Sequence, residues 1–333
     1  MTGRCLLNNI ILLPTISVII PVKNGACTLG RCLTSIRNQV GIGLLEIIII
    51  DSNSSDQSAT IAQEYGARIL SIPPQEFNHG LTRNIGVDFA SGDLLFFTVQ
   101  DAWLSEPNLL QKMSSHFFNS EFMGVVGHQA VPHELDKNPI LWFKRFTEPR
   151  TQYRKLQNRN DLETLTNVEK AELIAWDNVV AMYRKSALQD LPFTNTRFAE
   201  DWIWSRDALL KGYTLVYDPS SVVYHYHHLD YDYAYRLQFT VNYHFYKHFG
   251  FKPLKTELLY PIIRASYHLI RHRFLKFSEK LFWMKYNIAA YVACYKSTKR
   301  FNTILHNDGL IGIEIFHKQI CNEIPQGKQR KNL

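Results

Sequence analysis

A chain of 333 residues, 46% hydrophobic and 20% charged, can fill the cores of about two domains and has neither a disordered nor a fibrous composition. Its net charge of +7 is unevenly placed. Residues 251–333 hold fifteen Lys/Arg against five Asp/Glu, so the rest is mildly acidic, which argues against a nucleic-acid binder. The five cysteines, Cys5, Cys27, Cys32, Cys294 and Cys321, form an odd set without repeated short spacing. That excludes a disulfide framework or zinc module and fits a reducing, cytoplasmic setting. Cys27 and Cys32 are read as buried thiols.

The apolar run Leu6–Leu13 ends at Pro14, too early for a secretory leader, and no uninterrupted apolar run approaches a membrane span. Ile16–Pro21 is a short β-branched run and predicts a buried first strand. Lys23-Asn24-Gly25 is a turn, Leu29–Gln39 has helical spacing, and Glu46–Ile50 is a second buried strand ending at Asp51. The stretch after it, SNSSDQSATIAQEYG, predicts a helix from about Asp56, stopped by Gly66. A third strand covers Arg68–Ile72, a helix opens near His79, and a strand covers Leu94–Val99. Strands alternating with helices imply a mostly parallel sheet. Beyond it come a helix over Leu109–Phe118 and a strand over Met123–Val131, then an irregular loop or lid over 136–166. Next are a strand over Asn178–Tyr183 and helices over Lys185–Leu191 and Asp201–Lys211. Two more strands, Leu215–Tyr217 and Val222–His227, are separated by a Pro219-Ser220 turn. Long helical patterns dominate from Asp232. This organisation divides the chain into an α/β domain over 1–250, a basic amphipathic helical extension over 251–322, and a polar tail over 323–333 expected to be disordered.

Four constellations carry chemistry. Asp51, at a strand's C-terminal end, can accept hydrogen bonds from a base or ribose, while Asp56 caps the next helix. His79, Arg83 and Asn84 sit at a helix mouth, where a guanidinium fork suits phosphate. Asp101, in Val99-Gln100-Asp101, places a carboxylate after the next strand and suits a divalent ion. In FAEDWIWSRDALLKGY, Glu200 and Asp201 are adjacent acids at a helix start with Trp202 and Trp204 beside them, a candidate general-base site under an acceptor hydroxyl. His225 and His227, two apart on a strand, face one side, and either can complete a metal site with Asp101. A dinucleotide oxidoreductase is disfavoured, because PVKNGACTLG stands after the first strand where G-x-G-x-x-G would be needed.

Taken in order, ISVIIPVKN, IIIIDSNSSD, FNHGLTRNIG with TVQDA, AEDWIWSRDALLKGY and VVYHYHH resemble an inverting family 2 glycosyltransferase of the GT-A fold, in its rhamnosyltransferase-like subgroup of bacterial surface polysaccharide synthesis. The resemblance covers about residues 15–250. It implies an α/β fold, a mostly parallel mixed sheet flanked by helices, with a C-terminal helical extension. It implies a donor contact set of Pro21, Asp51, His79, Arg83, Asn84 and Gln100, and Mg²⁺ or Mn²⁺ on Asp101 with His225 or His227. It makes Asp201, paired with Glu200, the catalytic base, and places acceptor contacts at Asp177, Asn178, Trp202 and Trp204. Val99 stands where the family's first metal-motif acid would be, and Ser52 where many members carry a second Asp. The partners implied are a dTDP- or UDP-sugar donor and a saccharide or lipid-linked saccharide acceptor, with no nucleic acid. The competing reading is a non-catalytic GT-A-like binding or scaffold subunit. The basic stretch Leu258–Tyr286 mixes aromatic, aliphatic and cationic residues at helical spacing. It suits an anionic membrane surface at the inner face of the plasma membrane, or pairing in a homodimer.

Overall fold

The computed structural model describes residues 13–141, 150–253 and 257–321. Three expectations therefore fall wholly or partly outside the described residues: the leader reading of 6–12, part of the 136–166 loop, and the tail 323–333.

The first half is built as its apolar runs dictate. β1 (Ile16–Val22), α1 (Ala26–Arg37), β2 (Leu45–Asp51), α2 (Ser58–Glu64), β3 (Arg68–Ser71), α3 (His79–Phe89) and β4 (Leu94–Phe97) alternate in chain order. β3, β2, β1 and β4 lie side by side and parallel. Both faces of these strands are covered, which is why they read as continuous hydrophobic runs. Successive residues go to opposite faces: Ile16, Val18 and Ile20 join one core with Ile47, Ile49 and Phe96, while Ile19 joins the other with Ile48, Ile50 and Phe97. Burying each such Ile or Phe contributes roughly 1.5–3 kcal/mol.

The second half completes the sheet with β5 (Trp103–Leu104), α4 (Leu109–Ser115), β6 (Phe122–Ala130), β7 (Gln152–Arg154), α5 (Asp161–Thr164), α6 (Asn167–Ile174), β8 (Ala181–Arg184), α7 (Lys185–Asp190), α8 (Glu200–Leu210) and β9 (Thr214–Tyr224). Among the described residues the sheet has nine strands, in the order β3-β2-β1-β4-β8-β6-β9-β5 with β7 on β9. β8 is antiparallel to both β4 and β6, whereas β6 and β9 are parallel. The two strands expected around Pro219 are one strand. Its register against β6 jumps from Val126↔Tyr217 to His128↔Val222, so the proline sits in a bulge, where a missing N–H costs no ladder bond. The described part of the 136–166 loop is also more ordered than its polarity implies, since it contains β7 and α5.

Three long helices complete the chain: α9 (Tyr231–Phe249), α10 (Leu259–Arg271) and α11 (Phe277–Ile320), the last kinked at Gly309. α9 lies just before the boundary expected at residue 250, yet it shares its core with α11 through Phe239, Tyr243, Phe301, Ile304 and Ile313. It also touches α8, where Trp202 packs on Phe245 and Arg206 Nη1 donates to the His248 carbonyl at 2.9 Å. The described cysteines are free, and Cys27 is exposed rather than buried because it faces outward from the first turn of α1; Cys32, on the inner face, is buried.

Candidate active site

Sheet polarity gathers the candidate residues at one rim. The C-terminal ends of β1, β2 and β4 lie together, and those of β6 and β9 share one direction in their own parallel pair. β8 runs the other way, so the residues before it, Asp177 and Asn178, come to this rim as well. So does the start of α8, because the Asn178 amide donates to Asp201 Oδ2 at 3.2 Å.

At the metal end, His225 and His227 lie just past β9, where the His225 amide bonds the Ala130 carbonyl at 3.0 Å. His225 Nε2 is 3.4 Å and His227 Nδ1 3.7 Å from the Asp101 carboxylate. Ligand atoms of the three residues all fall within 4.8 Å of one another. The hydrogen bonds settle how His225 is protonated. Gln129 Nε2 donates to Asp177, so its amide oxygen faces His225 Nδ1 at 2.8 Å. An amide oxygen can only accept, so Nδ1 carries a proton, and Nε2 is directed at Asp101. That buried Nε2 has no hydrogen-bond partner. One carboxylate and two imidazoles whose ligand atoms converge in this way form a donor set that fits a divalent ion. Burial tends to raise the Asp101 pKa, but the neighbouring His225 and then His227 hold it below the ordinary value. Burial, with His225 beside it, keeps His227 neutral to lower pH than usual. Gln129 was not visible as a functional residue in the sequence; its position on β6, paired with Val223 two residues before His225, is the signal that topology supplies.

At the other end lies a buried charge cluster. Arg83 is 4% exposed and meets Glu200 at 2.7 Å. Its Nη1 also donates to the His79 carbonyl at 3.1 Å and lies 3.2 Å from His79 Nδ1. Burial lowers the His79 pKa to about 4, so this ring is neutral and accepts from the guanidinium. Arg83 and Glu200, expected to act separately, are found paired with each other. Arg83 is not an open cation awaiting phosphate, because its charge is matched by Glu200 inside the protein. Glu200 in turn holds Arg83 and accepts from Asn178 Nδ2 at 3.1 Å. Burial pushes the Glu200 pKa up, but Arg83 and then His79 outweigh it and leave the group below its usual value. Asp201 behaves oppositely. Burial first, then the neighbouring charges of Glu200 and Asp177, raise its pKa well above the ordinary carboxylate range. A carboxyl so tuned has the proton affinity a general base needs.

Other candidates turn out to hold the framework. Asn84 makes a two-way clamp with the Phe193 backbone, donating at 2.9 Å and accepting at 3.0 Å. Gln100 does the same for Lys23, accepting from its N–H at 2.8 Å and donating to its carbonyl at 3.1 Å, and so fixes the loop after β1. Pro21 lies within β1, one residue before Val22, which pairs with Asp51. Asp51 ends β2 and accepts from the Ser54 amide at 3.0 Å and its hydroxyl at 2.5 Å. Asp56 takes the Ala26 and Ser58 amides, tying the loops after β1 and β2 together. Trp204 is 1% exposed with its indole N–H on the Leu191 carbonyl, and Asn178 is buried against Glu200 and Tyr183; neither presents a surface to an acceptor. Trp202 and Asp177 do, because both line a cleft of about 770 Å³ together with Tyr153, Trp176 and Tyr217. The glycine of the His79-Gly80 pair has its own reason: a Cβ there would lie 1.9 Å from the Thr194 carbonyl oxygen.

The mixed sheet flanked by helices has the GT-A fold of glycosyltransferases. The chain belongs to glycosyl transferase family 2, whose model matches residues 17–191. That match ends before Glu200 and Asp201, so the reading of those acids rests on geometry. The chain is 31% identical over 220 residues to the O-antigen chain rhamnosyltransferase WbaN of Salmonella anatum, covering 65% of this chain and 67% of that one. It is 28% identical over 218 residues to the O-antigen chain rhamnosyltransferase RfbN of Salmonella typhimurium, covering 64% and 66% respectively. It thus spans about two thirds of the length of each. Among solved structures, the mannosyltransferase PcManGT of Pyrobaculum calidifontis, in complex with GDP-Man and Mn²⁺, superposes with a TM-score of 0.52 at 15% identity over 93% of this chain and 88% of that one. TarS 1–349 of S. aureus in complex with UDP gives 0.51 at 14% identity, over 92% and 91%. These likenesses establish the fold.

Proposed function

We propose that this glycosyltransferase moves rhamnose from dTDP-rhamnose to a saccharide hydroxyl, on a free or lipid-linked acceptor, with inversion at the anomeric carbon, in the synthesis of a bacterial surface polysaccharide. The two similar rhamnosyltransferases support the sugar and the process. The observation that carries the chemistry is Asp201, raised in proton affinity and held by the Asn178 amide beside Asp177, which in turn lines the open cleft. The aromatic wall of that cleft suits a sugar ring, so the acceptor belongs there.

Asp201 takes the proton of the acceptor hydroxyl as its oxygen bonds to the anomeric carbon. The bond from that carbon to the donor diphosphate breaks on the opposite face, and the nucleoside diphosphate leaves with the electron pair. Asp51 receives the nucleoside at the end of β2. Asp101, His225 and His227 would hold Mg²⁺ or Mn²⁺, which when bound supplies positive charge to the leaving diphosphate. Gln129 keeps the His225 lone pair directed at that position. The free cysteines support a reducing, cytoplasmic location.

The test is Asp201→Asn. Turnover falls by roughly 10²–10⁴-fold, the usual worth of a general base, while calorimetric binding of dTDP with Mn²⁺ is retained. Near-full activity in that variant overturns the assignment of the base. A hydrolysis screen across nucleotide sugars decides the donor, and UDP-sugar use without dTDP-rhamnose use overturns the sugar. The competing scaffold reading requires nucleotide binding without turnover in the unaltered protein.

A further inference from the structure

α10 carries two apolar stripes, and the fold uses one of them. Ala265 and Leu269 face inward, and Leu269 packs with Leu275 and Trp283 at the start of α11. The other stripe, Leu259, Ile263, Tyr267 and Ile270, recurs at helical spacing over about 17 Å and faces away from the protein. Leu259 is 72%, Ile263 65% and Ile270 63% exposed. The turn into α11 extends this surface with Phe274 at 87% and Phe277 at 83% exposed. Water is an unfavourable neighbour for a contiguous apolar face of this kind.

The charges around the face identify its neighbour. Arg264, Arg271, Arg273 and Lys276 are exposed beside it. Between 257 and 285 there are six Lys/Arg against two acids, and one of those acids, Glu279, is committed to the Lys276 amide at 2.7 Å. A second copy of the same face would set cation against cation. An anionic lipid surface matches both components, taking the apolar stripe below the headgroups and the cations at their level. Among the described residues no helix is long and apolar enough to cross a membrane, so the contact is one of lying on the surface.

We propose that the outer face of α10, with the Phe274–Phe277 turn, docks this enzyme on an anionic bilayer. The face is joined to the active site. Trp283, which receives Leu269 from α10, also stacks on His228 with ring centroids 6.4 Å apart, next to the His227 of the metal triad. Tyr286, one turn further along α11, accepts the hydrogen bond of the Leu229 amide. Docking therefore sets the histidine loop close to the lipid headgroups, where a lipid-linked acceptor would present its sugar.

The experiment is co-sedimentation of the full chain with vesicles of phosphatidylcholine alone or mixed with phosphatidylglycerol. Binding is expected to the mixed vesicles, weakly to the neutral ones, and to fall as salt is raised. Arg264→Gln/Arg271→Gln should weaken it about 25-fold, at roughly fivefold per cation. Phe274→Ser/Phe277→Ser should weaken it on the order of 100-fold. All four positions are exposed, so both variants should keep the unfolding midpoint of the parent. Asp201→Asn should bind vesicles like the parent, which separates this proposal from the catalytic reading. Equal binding by parent and variants, or none to anionic vesicles, overturns the proposal. So does a dimer in light scattering that Phe274→Ser/Phe277→Ser dissociates, since the face would then be a self-interface.

Discussion

Arg83 acts on three acids at once: it pairs with buried Glu200, and its charge also reaches Asp177 and Asp201. Removing the cation and removing one acid should therefore have very different consequences. At 2.7 Å and an effective dielectric of about 20, the Arg83–Glu200 attraction is about 6 kcal/mol before desolvation. Arg83→Met leaves a carboxylate cluster with no counter-charge from this residue, and breaking a buried pair in that way costs about 3–5 kcal/mol. Glu200→Gln keeps the amide oxygen in front of Arg83 and leaves Asp177 and Asp201 to balance it, so its cost is about 1–2 kcal/mol. Urea unfolding of both variants and of the double variant measures this. The double variant should be more stable than Arg83→Met alone, because one of the stranded acids has gone. pH adds a signed check. Acids stranded by Arg83→Met have folded pKa values above their unfolded ones, so the native state holds more protons and the variant's stability falls as pH rises. Its deficit should shrink on acidification. In Glu200→Gln, one of the charges that raises Asp201 is absent, so the acid limb of the activity profile should move to lower pH. Arg83→Met no worse than Glu200→Gln, or a deficit that grows in acid, would refute the charge-balance reasoning.

Gln129→Leu removes the acceptor that fixes His225 and leaves Asp177 without its amide partner; Mn²⁺ affinity by calorimetry should drop about 10–100-fold, the usual effect of losing an outer partner of a metal-binding histidine. Unchanged affinity would mean that His225 does not need its tautomer fixed. Gly80→Ala drives a Cβ to within 1.9 Å of the Thr194 carbonyl oxygen, so α3 or the 193–196 segment must move. The loss should be about 1–3 kcal/mol or more in thermal or urea unfolding, and a neutral result would show that this loop gives way freely.

Much of the scaffold was legible because its signals are local. Ile16–Val22 and Leu45–Asp51 are strands with both faces buried, and their apolar runs say so. The helix expected near His79 is α3, and the structure adds its cap: the Asn78 side chain accepts from the Leu81 amide. What failed depended on partners far away in the chain. The bulge that absorbs Pro219 exists only because β9 must pair with β6 around it. Arg83 and Glu200 are separated by 117 positions, and nothing near either shows that they neutralise each other. The metal site went the other way. Val99 left a single carboxylate, which looks poor in sequence, but the extended chain after β9 sends both His225 and His227 to Asp101.

Local backbone rules also break where the function lies. Asn24 (φ 49°), Asn53 (φ 59°) and Ala199 (φ 62°) are the non-glycine residues with left-handed backbone among those described. They lie after β1, after β2 and before α8, so all three stand at the rim that carries the site. The two asparagines occupy that region at modest cost, but alanine has no side-chain hydrogen bond to offset it and costs roughly 1–2 kcal/mol. The next two residues hold Ala199 in place. Glu200 is fixed by Arg83 and Asn178, and Asp201 by the Asn178 amide, so α8 can begin only where both acids point into the cluster. Strain at Ala199 is thus offset by the buried ion pair next to it. The same contacts that store it keep Asp201 among negative neighbours, where its proton affinity stays high.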